Sequence, residues 1–79
     1  MSELHPGSML SEYLKFNNWS YRELADRTGL PMQVIIAVCN EQSPVTPEIA
    51  LVLEKAFDRP ASFWLNMQAW HDLEAARGL

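Results

Sequence analysis

Cys39 is the single cysteine, so no disulfide can close within the chain and the composition suits a reducing cytosol. Three glycines do not make a phosphate-cradling loop. The two histidines, His5 and His71, stand far apart without the spacing of a zinc motif. No apolar run approaches the ~20 residues that cross a bilayer. The opening Met1 to Ser8 lacks the basic and apolar regions of a secretory signal, so a cytoplasmic location is expected. Positive charge is also scarce. Six Lys plus Arg against ten Asp plus Glu give a formal net charge of -4, whereas most nucleic-acid binders lean basic. Only the local field facing a phosphate matters, because ordinary salt screens charge beyond about 10 Å.

These shortages leave no basis for catalysis, and no enzyme activity, metal or cofactor is expected. The carboxylates are scattered, and Cys39 reads as a small buried hydrophobe. His71 beside Asp72 reads as a surface pair, and Asn66 and Gln68 as residues that tie the last helix.

What the chain does have is apolar residues, 48% of a 79-residue sequence, enough for one small helical domain over 1–79. Pro6-Gly7 opens a first helix carrying Met9, Leu10, Tyr13, Leu14 and Phe16, which stops at Asn17-Asn18. Ser20-Tyr21-Arg22-Glu23 is a capping box, with Trp19 and Leu24 as its hydrophobic staple. Gly29 supplies the positive φ for a sharp stop, and a third helix starts near Pro31. Two short helices joined through a glycine turn make a helix-turn-helix over about 20–40. After a polar loop, Thr46-Pro47-Glu48 caps a fourth helix with Ile49, Leu51, Val52, Leu53, Ala56 and Phe57. Asp58-Arg59-Pro60 breaks the chain before a fifth, from about Ala61, with Phe63, Trp64, Leu65, Met67, Trp70 and Leu73. No segment reads as a strand, so the expected class is all-α.

Five short helices with the motif at the second and third resemble the XRE, or lambda-repressor-like, class of DNA-binding domains. His5-Pro6-Gly7, Thr46-Pro47-Glu48-Ile49-Ala50-Leu51 and Phe63-Trp64-Leu65-Asn66-Met67-Gln68 sharpen the likeness, over nearly the whole chain, to HigA-type antitoxins and VapI-like proteins. The resemblance implies a cytoplasmic homodimer that represses its own operon by binding double-stranded DNA and neutralises a HigB-type toxin. Other relatives carry this module at the front of longer ImmA-type regulators, and Pro31-Met32-Gln33 fits those as well. The chain is therefore expected to be either a complete small protein or such a leading module.

On the third helix, Met32, Gln33, Ile36, Ala37 and Asn40 fall on one stripe, while Leu30, Ile35, Val38 and Cys39 face inward. Gln33 and Asn40 are the side chains that can match base edges. Relatives usually place Ser, Thr and Arg on this stripe, and Gly with basic residues where this chain has Glu41-Gln42-Ser43. Tyr21 and Ser43 can add neutral bonds to phosphate, Arg22 is the clearest cation, and Lys15 and Arg27 are candidate helpers. Together, Tyr21, Arg22, Met32, Gln33, Ile36, Ala37, Asn40 and Ser43 form the expected DNA face. A second reading takes Met32, Ile36 and Ala37 as an apolar patch for a protein partner, on a fold that has lost DNA readout. Phe63, Met67 and Trp70 form the stripe expected at a dimer interface.

Overall fold

The computed structural model describes residues 5–78. Among these, five helices follow in order: α1 (Pro6–Asn17), α2 (Tyr21–Thr28), α3 (Met32–Cys39), α4 (Pro47–Phe57) and α5 (Ala61–Ala76). This is the all-α, five-helix order the sequence patterns predict, and each boundary has a local cause. Ser20 Oγ accepts from Glu23 N at 3.1 Å and Thr46 Oγ1 from Ile49 N at 3.3 Å, each satisfying one orphan donor of a helix start. The reverse arm of the expected capping box is missing, because Glu23 Oε2 lies 3.4 Å from Arg27 Nη2 instead. Asn18 and Asp58 take left-handed conformations at the ends of α1 and α4, a role open to Asn and Asp when no glycine is present. Pro31 is the N-cap of α3, so the helix proper begins one residue later than expected.

The core collects Leu10 and Leu14 from α1, Leu24 from α2, Ile35 and Val38 from α3, Ala50 and Leu53 from α4, and Trp64 from α5. Trp64 is fully enclosed. Its ring meets Phe63 at 5.1 Å, Tyr13 at 5.5 Å and Phe57 at 6.0 Å, edge-on or tilted as aromatic quadrupoles prefer. Trp19 packs on the same core and tilts against Phe57 at 5.4 Å.

Two apolar residues of the α1 and α4 patterns lie outside it. Phe16 is 89% exposed and Leu51 57% exposed, while Ala50 is buried in place of Leu51. Each helix turns only one stripe inward. With Leu10 and Leu14 on the core side of α1, Phe16 points away; with Ala50 and Leu53 inward on α4, Leu51 does too.

Gly7 sets how α1 meets α3. A Cβ at this position would collide with the Val38 carbonyl oxygen, so the first turn of α1 rests directly on the backbone at the end of α3. Three further bonds lock the C-terminal half. Gln68 Oε1 accepts from Val45 N at 2.8 Å, fastening the loop between α3 and α4 to α5, and Gln68 Nε2 donates to Asp72 Oδ1 at 2.9 Å. Glu54 Oε1 accepts from Ala61 N at 3.1 Å, so α4 supplies the N-terminal cap that Pro60 cannot give α5.

Candidate nucleic-acid interface

The α2–α3 unit is built around Thr28 and Gly29. Thr28 Oγ1 donates to Leu24 O at 2.7 Å and accepts from Leu30 N at 3.2 Å, bridging the end of α2 to the turn. Gly29 takes φ of 80° and its N–H donates to Ala25 O at 2.8 Å, closing α2 in a left-handed residue that favours glycine.

Across that turn, α3 shows two faces. Ile35, Val38 and Cys39 are buried; Met32, Gln33 and Asn40 are exposed; Ile36 and Ala37 are half-buried. At 3.6 residues per turn, Met32, Gln33, Ile36, Ala37 and Asn40 share an arc of about 140° on the side away from the core. Asn40 also ends the helix as its C-cap residue. Gln33 thus points outward, and Met32 is 40% exposed. The N-terminus of α3 has no side-chain cap, and Val34 N is the first amide to bond back, to Pro31 O at 3.0 Å. The preceding amides, on Met32 and Gln33, are the orphan donors of a helix start, with the positive end of the helix dipole behind them.

Charge near this face is sparse and partly committed. Arg22, in the first turn of α2, and Lys15, in the last turn of α1, are exposed, and among the described residues no ion pair includes them. Tyr21 is partly exposed beside Arg22, and together with Lys15, Asn18 and Ser20 it lines an open groove of about 660 Å³ between α1 and α2. Arg27, the other candidate helper, is engaged within the subunit. Its guanidinium lies 4.1 Å over the Trp19 ring and next to Glu23, so cation–π contact and the i,i+4 pair hold it on the side of α2 that faces α4. Glu41 is likewise tied down. It adopts φ of 63°, a strained backbone for a non-glycine residue, and its Oε2 accepts from Ser8 Oγ at 2.8 Å in the first turn of α1. This carboxylate, a charge that would repel phosphate, is thus turned onto the dipole-positive end of α1. Ser43 is half-buried in the loop that follows.

Behind α3, His5 caps α1 by accepting Gly7 N at its Nδ1, 2.8 Å away. Burial, reinforced by repulsion from His71, holds His5 below its ordinary pKa, against the opposing pull of Glu41 and Asp72. Burial also pushes the Cys39 thiol up, partly offset by a hydrogen bond from Ser11. Cys39 is therefore a core residue with little thiolate character. On α5, Phe63 and Met67 are half-buried against the subunit's own core, whereas Trp70 is 57% exposed and Leu73 is exposed beyond it. The stripe expected at a dimer interface is thus divided, with its first part used within the monomer.

Residues 10–64, from the middle of α1 to the buried Trp64, match the helix-turn-helix family. The chain belongs to that family. Virulence-associated proteins A and I of Dichelobacter nodosus are both 38% identical to it, over 87% and 96% of this chain and 70% and 71% of their own lengths. Among solved structures, an addiction module antidote protein of a HigA family from Coxiella burnetii superposes with a TM-score of 0.88 at 36% identity. The match covers 91% of this chain and 79% of that one. Pseudomonas aeruginosa antitoxin HigA, solved with the higBA promoter, superposes with a TM-score of 0.90 at 29% identity, over 94% of this chain and 82% of its own. The family match spans all of α2, α3 and α4, so the turn at Gly29 and the outward arc of α3 lie wholly within it.

Proposed function

We propose that this chain is a DNA-binding transcription regulator of the HigA antitoxin type, a cytoplasmic homodimer that binds operator DNA through α3 and pairs with a HigB-type toxin. The observation that carries the DNA reading is the outward arc of α3, with Gln33 exposed on a turn fixed by Thr28 and Gly29. Similarity to HigA-family proteins, one of them solved with the higBA promoter, supports both the DNA and the toxin partner. Met32, Gln33, Ile36, Ala37 and Asn40 would face the major groove. Tyr21, Arg22 and Ser43 would meet phosphate, with the free amides at the start of α3 serving the same end.

With Arg22 and Lys15 as the available cations, few phosphates are neutralised per subunit, and each contributes about 0.9 to the log-log salt slope. Binding is therefore expected to be modest and to rely on two subunits. A mobility shift with the DNA upstream of its own gene, at low salt, tests the reading. A retarded complex that outcompetes unrelated duplex supports it, and equal affinity for both overturns it. Co-purification with the product of an adjacent small basic gene tests the toxin partner.

A further inference from the structure

No Lys or Arg occurs between Arg27 and Lys55, so neither α3 nor the turn and loop flanking it carries a cation. The outward arc holds the amides Gln33 and Asn40 among Met32, Ile36 and Ala37. Resting on the DNA reading above, we infer that this arc selects A·T base pairs in the centre of each half-site. Guanine is recognised chiefly by two donors from Arg or Lys at O6 and N7, and the arc offers neither residue. Adenine presents N7 as acceptor and N6 as donor, which one carboxamide such as that of Gln33 matches with both of its atoms. Thymine adds a C5-methyl group that Arg or Lys cannot use and that Met32, Ile36 or Ala37 covers.

Exposure fits these roles. Gln33 and Met32 stand out at the N-terminal end of α3, while Ile36 and Ala37 are half-buried, with their remaining surface on the same arc. From Met32 to Asn40 the helix rises about 12 Å at 1.5 Å per residue, a reach of roughly three to four base pairs. The shortage of positive charge and the apolar surface thus become one property, a reader that relies on methyl contact and one adenine-type amide pair.

The test is selection of bound duplexes from a random library by the intact protein at low salt, followed by replacement of each central thymine with uracil. Uracil pairs identically but lacks the methyl group. Enrichment of a central run of A·T pairs, with about a fourfold loss of affinity per methyl removed at the contacted positions, supports the inference. A Gln33→Ala variant should lose preference at one adenine while retaining binding to the rest of the site. Enrichment of a G·C centre, or indifference to uracil, overturns the inference but leaves DNA binding standing. Recovery of no sequence above the starting library overturns both, and the apolar arc then belongs to a protein partner.

Discussion

The His5 and His71 rings, 66 positions apart in the chain, meet edge-on with centroids 4.5 Å apart. His5 comes from the cap of α1 and His71 from α5, so the contact joins the two ends of the described fold. Its consequence is a dependence of stability on pH. His5 Nδ1 is an acceptor for Gly7 N, and a proton there abolishes the cap. Burial and His71 lower the His5 pKa in the folded state, so below the ordinary value of 6.5 the unfolded chain takes up a proton that the fold resists. The His5 contribution is therefore complete above about 6.5 and is lost as pH falls from there through the folded value. Thermal melting between pH 7.5 and 5 should show a falling Tm. His5→Asn, which can cap without titrating, should flatten that fall, and an unchanged profile would exclude His5 as its source.

Gly7→Ala should be among the most damaging small substitutions. Its methyl would enter the space of the Val38 carbonyl, and the clash falls on backbone rather than on a side chain that can rotate away. A loss of about 3 kcal/mol, at the upper end for overpacking, is expected in urea denaturation. Ala at Gly29 meets no neighbouring atom and should cost only the strain of its φ, about 1–2 kcal/mol.

Gln68→Ala removes the acceptor of a buried backbone amide, Val45 N. The orphaned donor should destabilise the protein by about 1–3 kcal/mol. Hydrogen exchange at Val45 should accelerate more than exchange at Leu24, buried in α2, because the loop is released before the whole fold.

Arg22 and Arg27 lie in the same short helix and should behave oppositely. Arg22→Ala should lower DNA affinity and reduce the salt slope by about 0.9 per subunit, with Tm unchanged. Arg27→Ala should leave the salt slope alone and lower Tm, because its partners are Trp19 and Glu23. Titrations of both variants at several salt concentrations would separate the two roles, and equal slopes would reject the assignment.

Trp70→Asp should convert a dimer to a monomer in sedimentation equilibrium without lowering helix content, since Trp70 is exposed in the single subunit. Met67→Asp should damage folding itself, because Met67 packs on the core. A monomeric parent protein would remove the proposed two-fold.

Helix boundaries were legible in the sequence because capping is local chemistry. Ser20, Gly29 and Thr46 each act on amides or carbonyls within a turn of themselves, Pro47 fills a first-turn position that needs no donor, and all perform the role their residue type predicts. Outward and inward faces of α3 were legible too, since Ile35 and Val38 alternate with Gln33 and Asn40 at helical spacing. Phe16 and Leu51 misled because hydrophobicity does not say which apolar side a small core can accommodate. The remaining surprises are contacts between different elements of the fold. Nothing near Gly7 in sequence announces Val38, nothing near Glu54 announces Ala61, and Arg27 looked available until Trp19 folded beneath it.

The seat of Gly7 against Val38 braces α3 at its rear by main chain rather than by side chains that substitution readily exchanges. The exposed residues of its outer arc, Met32, Gln33 and Asn40, can then be changed singly without disturbing how the helix is seated. On the proposed DNA reading, the exposed position 33 could be changed to suit another promoter while the internal supports of α3 stay untouched, and a designer could take the same route.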